Sequence, residues 1–372
     1  MVSDWKIVQL RDIAQYSKGS QINGDDLLTD GEYDYLNGGI NPSGKWNESN
    51  VGADTVTISE GGNSSGYVNY MTSPFWCGAH CYYLFDVKCN PKFLYYALKA
   101  QQDRVMALRS GACMPNIKKN DLGEFSFRYN SNPDIQAQIV KIFDKLTSLI
   151  SLRKKQLEKL DELVKSRFVE MFGDPVVNPL HWEIKPLLDI GNCKNGMNFH
   201  YDDSGIEIHC LGVGDFKDLS IISDTTALPK ISLNEMPSNE YLLQNDDIVF
   251  VRSNGNKALV GRSLAVYPDD VPTTFSGFCI RFRKTDSSVT VPYLLRVLKT
   301  DSIRKKMAGR GANIQNLNQQ ILSTLEIPIP PLDHQKQFAA FVEQTDKSKL
   351  AVQKSLEQLE TLKKSLMQKY FG

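Results

Sequence analysis

Residues 156–173 read QLEKLDELVKSRFVEMFG, and residues 355–372 read SLEQLETLKKSLMQKYFG. The two stretches match in register: Leu157 with Leu356, Leu160 with Leu359, Leu163 with Leu362, Ser166 with Ser365, Phe172 with Phe371 and Gly173 with Gly372, every pair 199 positions apart. Leucines at three-and-four spacing among charged residues mark an amphipathic helix. Because the second copy closes the 372-residue chain, the repeat predicts two units of nearly equal length.

The helix containing the first copy has readable ends. Asn132 and Pro133 stand where an N-cap and a first-turn proline belong, and Gly173 followed by Pro175 reads as a left-handed stop. That predicts about 38 residues, on the order of 57 Å. Its apolar stripe runs through Leu146, Ile150, Leu157, Leu160, Val164 and Phe168, interrupted at Arg153, Lys154 and Lys155. The second helix, from about Asp333, repeats the stripe with Val352, Leu356, Leu359, Leu362 and Leu366. Helices this long with a narrow apolar seam are not buried by one compact domain and usually pair with each other.

The repeat continues outside the helices. WKIVQLRDIA (5–14) corresponds to WEIKPLLDIG (182–191), and Gly111, Ala112 and Asn116 lie 200 positions before Gly311, Ala312 and Asn316. Between these anchors each half has a strand, a Gly/Asn/Ser loop and a second strand, DTVTISEGGNSSGYVNY (54–70) and DDIVFVRSNGNKALVGRSLAVY (246–267). An amphipathic helix then fits 91–109 and 291–310. The expected class is α+β, with mixed α/β globules at 1–133 and 174–332 alternating with helices at 134–173 and 333–372.

Composition is that of a soluble globular protein, 41% hydrophobic and 23% charged. With 43 basic and 43 acidic residues the formal charge is +0, so any polyanion site must be a local patch. No signal-peptide pattern and no eighteen-residue apolar window occurs, which predicts a cytoplasmic chain without a membrane partner. Seven cysteines read as reduced thiols. Cys77, His80, Cys81 and Cys89 invite a zinc reading, but His80 and Cys81 would face opposite sides of an extended segment, and buried thiols are the preferred assignment.

Catalytic and metal residues are expected to be absent. SEGGNSSGY lacks the lysine of a phosphate loop, LGVGDF (211–216) is a fragment of a dinucleotide fingerprint, and the aspartate pairs 25/26, 202/203 and 246/247 sit in turn-like sequence. The basic residues are better organised. Arg296, Lys299, Arg304, Lys305, Lys306 and Arg310 lead into a Gly/Asn/Gln loop, and the first half has Lys99, Arg104, Arg109, Lys118 and Lys119 around Asn116. A basic helix alone is more often a solvated face, but its recurrence at equivalent repeat positions favours phosphate neutralisation beside amides that read base edges. The candidate DNA contacts are Asn63, Ser64, Ser65, Arg109, Asn116, Lys118 and Lys119 in the first half. In the second they are Arg252, Asn254, Asn256, Lys257, Arg304, Lys305, Arg310, Asn313, Gln315 and Asn316.

The chain resembles the specificity (S) subunits of type I restriction-modification systems. The resemblance rests on the Trp-x-x-x-x-Leu-x-Asp-Ile starts at Trp5 and Trp182, the Gly-Ala then Asn segments at 111–116 and 311–316, IPIPPLDHQKQF (327–338), and the two helices ending in Phe-Gly. It implies that each globule is a target recognition domain for one half of a split double-stranded DNA site. It implies that the helices pair as an antiparallel coiled coil, giving a pseudo-twofold internal repeat that sets the spacer. It also implies two docked methylation (M) subunits and further restriction (R) subunits, with no cofactor in this chain and with S-adenosylmethionine, ATP and Mg²⁺ on the partners. One departure is FSFRYNSNPDIQAQ (125–138), where the second half has IPIPPLDHQ; Gln136 and Gln138 stay in phase with Gln335 and Gln337. A self-contained DNA-modifying enzyme and a coiled-coil scaffold with protein- or glycan-binding globules are the rival readings.

Overall fold

In a computed structural model, residues 5–111, 115–199, 204–216, 220–308 and 316–372 are described. Two helices of 40 residues each, the central helix Pro133–Phe172 and the distal helix Leu332–Phe371, dominate the element order. The central helix starts where its sequence says: the Asn132 side-chain oxygen accepts from the N–H groups of Asp134 (2.9 Å) and Ile135 (3.3 Å). It stops at Gly173, whose φ of +73° and whose close approach to the Pro179 ring, which fills the place of a Cβ, admit no side chain.

The chain divides into two compact units, Met1–Gln156 with Ala351–Gly372, and Leu157–Leu350. Both helices are therefore shared. The first unit takes the start of the central helix and the end of the distal one; the second takes the remaining parts.

In the first unit a four-stranded sheet has the spatial order Gln15–Lys18, Cys81–Phe85, Thr55–Ser59, Val68–Met71. A three-stranded sheet has Tyr33–Leu36 between antiparallel Gly44–Trp46 and parallel Phe75–Cys77. Trp5–Gln9 pairs with Ser126–Asn130. The second unit repeats this plan. Its main sheet runs Gly191–Asn195, Cys279–Lys284, Asp247–Val251, Ser263–Val266, with Ile221–Ile222 added at the edge. Its smaller sheet has Ile206–Leu211 between antiparallel Lys230–Leu233 and parallel Thr273–Phe275, and Glu183–Pro186 pairs with Glu326–Ile329. The amphipathic helix expected after each sheet is present but broken, as Pro91–Ala100 and Gln102–Met106 in one unit and Val291–Leu298 and Asp301–Ala308 in the other.

Within each unit the helix segments run antiparallel. In the first, Thr147 meets Lys363 (3.0 Å), Lys154 meets Glu360 (3.1 Å) and Arg153 meets Ser355 (3.3 Å). In the second, Asp161 pairs with Lys349 (2.5 Å) and the Phe168 ring lies 5.5 Å from Phe338. Leu146, Val164, Phe168, Val352 and Leu356 are buried, and Ile150, Leu157, Leu160, Leu359 and Leu366 half-buried. Leu362 is the correction: the spacing assigns it to the seam, yet it is 47% exposed. At 3.6 residues per turn it sits about 80° round the helix from Val352, whereas Lys363 is about 20° away. Lys363 takes the inward place, and burial lowers its pKa.

The Phe-Gly ends are anchors. Phe371 sits in the first unit's core, with ring centroids 5.4 Å from Phe93, 6.1 Å from Phe143 and 6.2 Å from Trp5. Phe172 does the same in the second, 4.8 Å from Tyr293 and 5.6 Å from Phe338. The phased glutamines have matching work. Buried Gln136 accepts from the N–H of Asn90 (2.9 Å) and donates to the Asn130 carbonyl (2.7 Å). Buried Gln335 accepts from the N–H of Thr290 (2.8 Å) and donates to the Ser288 (2.9 Å) and Pro330 (2.8 Å) carbonyls. Each amide thus ties the start of a long helix to the N-cap of its unit's shorter helix.

Candidate nucleic-acid interface

In the first unit, strand Thr55–Ser59 runs into Glu60 and a glycine loop that rejoins the sheet at Gly66, whose φ is +88°. The loop is laced to the segment before the Lys118/Lys119 pair. Gly62 N–H donates to the Pro115 carbonyl (2.9 Å), Ile117 N–H to Glu60 (2.9 Å), and Ser110 and Asn116 exchange backbone bonds of 2.9 and 3.0 Å. Asn63, Arg109, Asn116, Lys118 and Lys119 are exposed. Ser65 is not available: it is 0% exposed and donates to the Glu60 carbonyl at 2.6 Å. Half-buried Ser64 donates to the Gly38 carbonyl at 2.6 Å. These hydroxyls satisfy backbone carbonyls that a tight loop would otherwise leave unpaired.

Beside the loop lies an open cleft of about 500 Å³ lined by Lys18, Glu60, Tyr82, Asn116, Lys118 and Lys119, among others. Glu60 is held between Lys18 Nζ (2.7 Å) and His80 Nδ1 (3.3 Å). Sequence patterns do not single out Glu60 or Lys18, and mark His80 only through the zinc reading; the available signal is an acid at a strand end directly before two glycines.

The second unit builds the same junction with other side chains. Half-buried Arg252 follows strand Asp247–Val251, and its Nη1 donates to the Gly277 carbonyl at 3.3 Å. Asn254 accepts from the N–H of Asn256 (2.7 Å) and Asn256 from that of Ala258 (3.1 Å), so both side-chain oxygens shape the loop. Lys257, Lys305 and Asn316 are exposed, and half-buried Arg304 donates to the Val260 carbonyl at 3.2 Å. Arg310, Asn313 and Gln315 lie outside the described residues.

The basic run from Arg296 does not form one face. Arg296 and Lys299 line a pocket with Asp161, Lys165, Asp346 and Lys349, against the unit's helix segments. Burial first, then Arg296 and Lys349, push the Lys299 pKa down to about 8. Its repeat partner Lys99 is likewise lowered to about 8, by burial and then Lys363, with its Nζ 3.6 Å from the Tyr67 ring centroid. Lys99 lies in the last turn of Pro91–Ala100 and Lys299 directly follows Val291–Leu298, and both helices bury the residues just before these lysines.

Burial raises the Cys89 and Cys193 thiols to about 12, leaving them protonated and weak as ligands or nucleophiles at neutral pH. Among the described residues no group of three or more His, Cys, Asp or Glu could hold a metal ion. No described helix is long and apolar enough to cross a membrane. Both loops offer charge and hydrogen-bonding edges beside glycines.

The model of the type I restriction modification DNA specificity domain matches residues 2–162 and again 179–361. The chain belongs to this family. It carries two copies of the specificity domain, the arrangement already visible in the repeated sheets. Among related proteins, one named as a type I specificity subunit in Mycoplasma pneumoniae is 34% identical over 207 residues, 53% of this chain and 54% of that one. The StySPI specificity subunit of Salmonella potsdam is 26% identical over 345 residues, 85% of this chain and 73% of that one. The chain spans about half the length of the Mycoplasma relatives it matches, 42% and 54%. A crystal structure of a type I restriction-modification S subunit from M. genitalium shares the fold, with a TM-score of 0.65 at 22% identity over 99% of this chain and 96% of that one.

Proposed function

We propose that this chain is the sequence-reading subunit of a type I restriction-modification complex and that its part is recognition, not catalysis. Each globule reads one half of an asymmetric bipartite site in double-stranded DNA. The observation that carries this reading is one specificity domain occurring twice, with the same strand order but different side chains at the loop junctions. Asn63, Arg109, Asn116, Lys118 and Lys119 contact DNA in the first half and Arg252, Lys257, Lys305 and Asn316 in the second, where Arg310, Asn313 and Gln315 are candidates from the sequence alone.

The helices set the unread spacer and dock two methylation subunits. Exposed Leu152, Leu163, Val169, Leu350 and Leu362 on otherwise charged helix faces support such docking. S-adenosylmethionine is bound by those methylation subunits, and ATP with Mg²⁺ by restriction subunits, in the cytoplasm.

Mapping N6-methyladenine in host DNA with and without this gene tests the reading: a bipartite methylated motif should vanish with the gene. A four-residue insertion near Leu157 lengthens the central helix by about 6 Å and rotates its C-terminal part by only about 40°. The same half-sites should then be methylated with a spacer longer by one or two base pairs of about 3.4 Å each. An unchanged spacer at full activity rules out the helices as the measuring element.

A further inference from the structure

Glu60 and Arg252 occupy the same backbone position in their respective units. The strand residue before each faces a cysteine, Ser59 opposite Cys81 and Val251 opposite Cys279. Their N–H groups donate to His80 and Phe278, both at 2.8 Å, and their carbonyls accept from Ile117 at 2.9 Å and Leu317 at 2.8 Å. The loops they open close in the same way, with Gly66 N–H on Ser59 and Gly261 N–H on Val251, both at 2.8 Å, and both glycines have positive φ. The two positions thus match in their backbone bonding. The side chains are of opposite charge.

We infer that this position is a base-reading point in each half-site, Glu60 reading a C·G pair from its cytosine side and Arg252 reading a C·G pair from its guanine side. The inference rests on the proposed DNA-reading function and says which chemistry each junction reads. An ionised carboxylate only accepts, and a guanidinium only donates. In the major groove the donor suited to a carboxylate is cytosine N4, and the acceptor pair suited to arginine is guanine O6 with N7. Glu60 lines the first unit's cleft together with Asn116 and Lys118. Glu60 is 8% exposed, with one oxygen on Lys18 (2.7 Å) and the other near His80 (3.3 Å). What it offers a base is therefore the acceptor capacity left on a carboxylate that lines the cleft, and Lys18 offsets the repulsion that carboxylate would meet from nearby phosphates. Arg252 is attached at the corresponding seam, at the start of the glycine loop and with its carbonyl accepting from the Leu317 N–H.

The test is N6-methyladenine mapping of the complete complex carrying wild-type chain, Glu60→Gln or Arg252→Met, together with binding to duplexes varied one pair at a time. Glu60→Gln should reduce discrimination at one C·G pair of the first half-site by roughly 5- to 150-fold, leaving the second half-site intact. Arg252→Met should do the same in the second half-site only. Unchanged motifs, or losses equal across all sequences, overturn the inference. Should a variant not fold, the wild-type motif still decides, because a half-site without a C·G pair overturns the inference for its unit. A bipartite motif lacking such pairs defeats this inference alone, whereas no bipartite motif at all defeats the functional reading beneath it.

Discussion

Strand Thr55–Ser59 continues into Glu60 and a loop at 61–65, while strand Asp247–Val251 continues into Arg252 and a longer loop at 253–260. Around these unlike loops the plan is the same. The two small sheets share one parallel and one antiparallel pairing around a middle strand, and Gln136 and Gln335 make matching bonds. Side chains that hold the frame are repeated, and those that face outward are free to differ. The reason is physical: a frame residue must satisfy fixed buried partners, whereas a loop side chain answers only to what it binds.

The largest test of this comparison removes the anchors. Phe371→Ala and Phe172→Ala should each cost about 3–5 kcal/mol in chemical denaturation, since each empties an aromatic cluster. Hydrogen exchange should locate the damage from Phe371 in residues 5–156 and that from Phe172 in residues 157–350. Loss of protection in the opposite unit would break the correspondence.

A smaller effect sharpens it. Gln136→Leu removes the partner of the Asn90 N–H and the Asn130 carbonyl, and Gln335→Leu that of the Thr290 N–H and the Ser288 and Pro330 carbonyls, each at about 1–3 kcal/mol. The two losses should be similar in denaturant melts. A silent variant on one side would show that the helix-start clamp is used by only one unit.

The smallest expected effect is on pH dependence. Lys99 and Lys299 are lowered from 10.5 to about 8, so between these values the unfolded chain binds more protons than the folded one. Stability should therefore rise with pH from about 8 to 10.5, and below 8 the full penalty of burying charge is present. Lys99→Met and Lys299→Met should each flatten part of that rise and stabilise the protein at neutral pH. A rise unaffected by both variants would assign it to other groups.

The two long helices, their caps and the duplication are legible in the amino-acid order, because capping chemistry and apolar periodicity are local. Asn132, Pro133 and Gly173 bound the central helix without help from any distant residue. Composition and repeated loop chemistry also point to the surfaces around Asn116 and Arg252. Three-dimensional packing was needed to turn Ser65 inward, to give the seam position of Leu362 to Lys363, and to withdraw Arg296 and Lys299 from the basic surface. The same holds for Glu60, whose strand-end acid gains meaning only when Lys18 and His80 close on it. Packing also ends the distal helix in the first unit, with Phe371 against Phe93 and Trp5. Periodicity specifies which face of a helix is apolar; which aromatic cavity receives its end depends on partners more than 270 residues earlier in the chain, and no local pattern encodes that pairing.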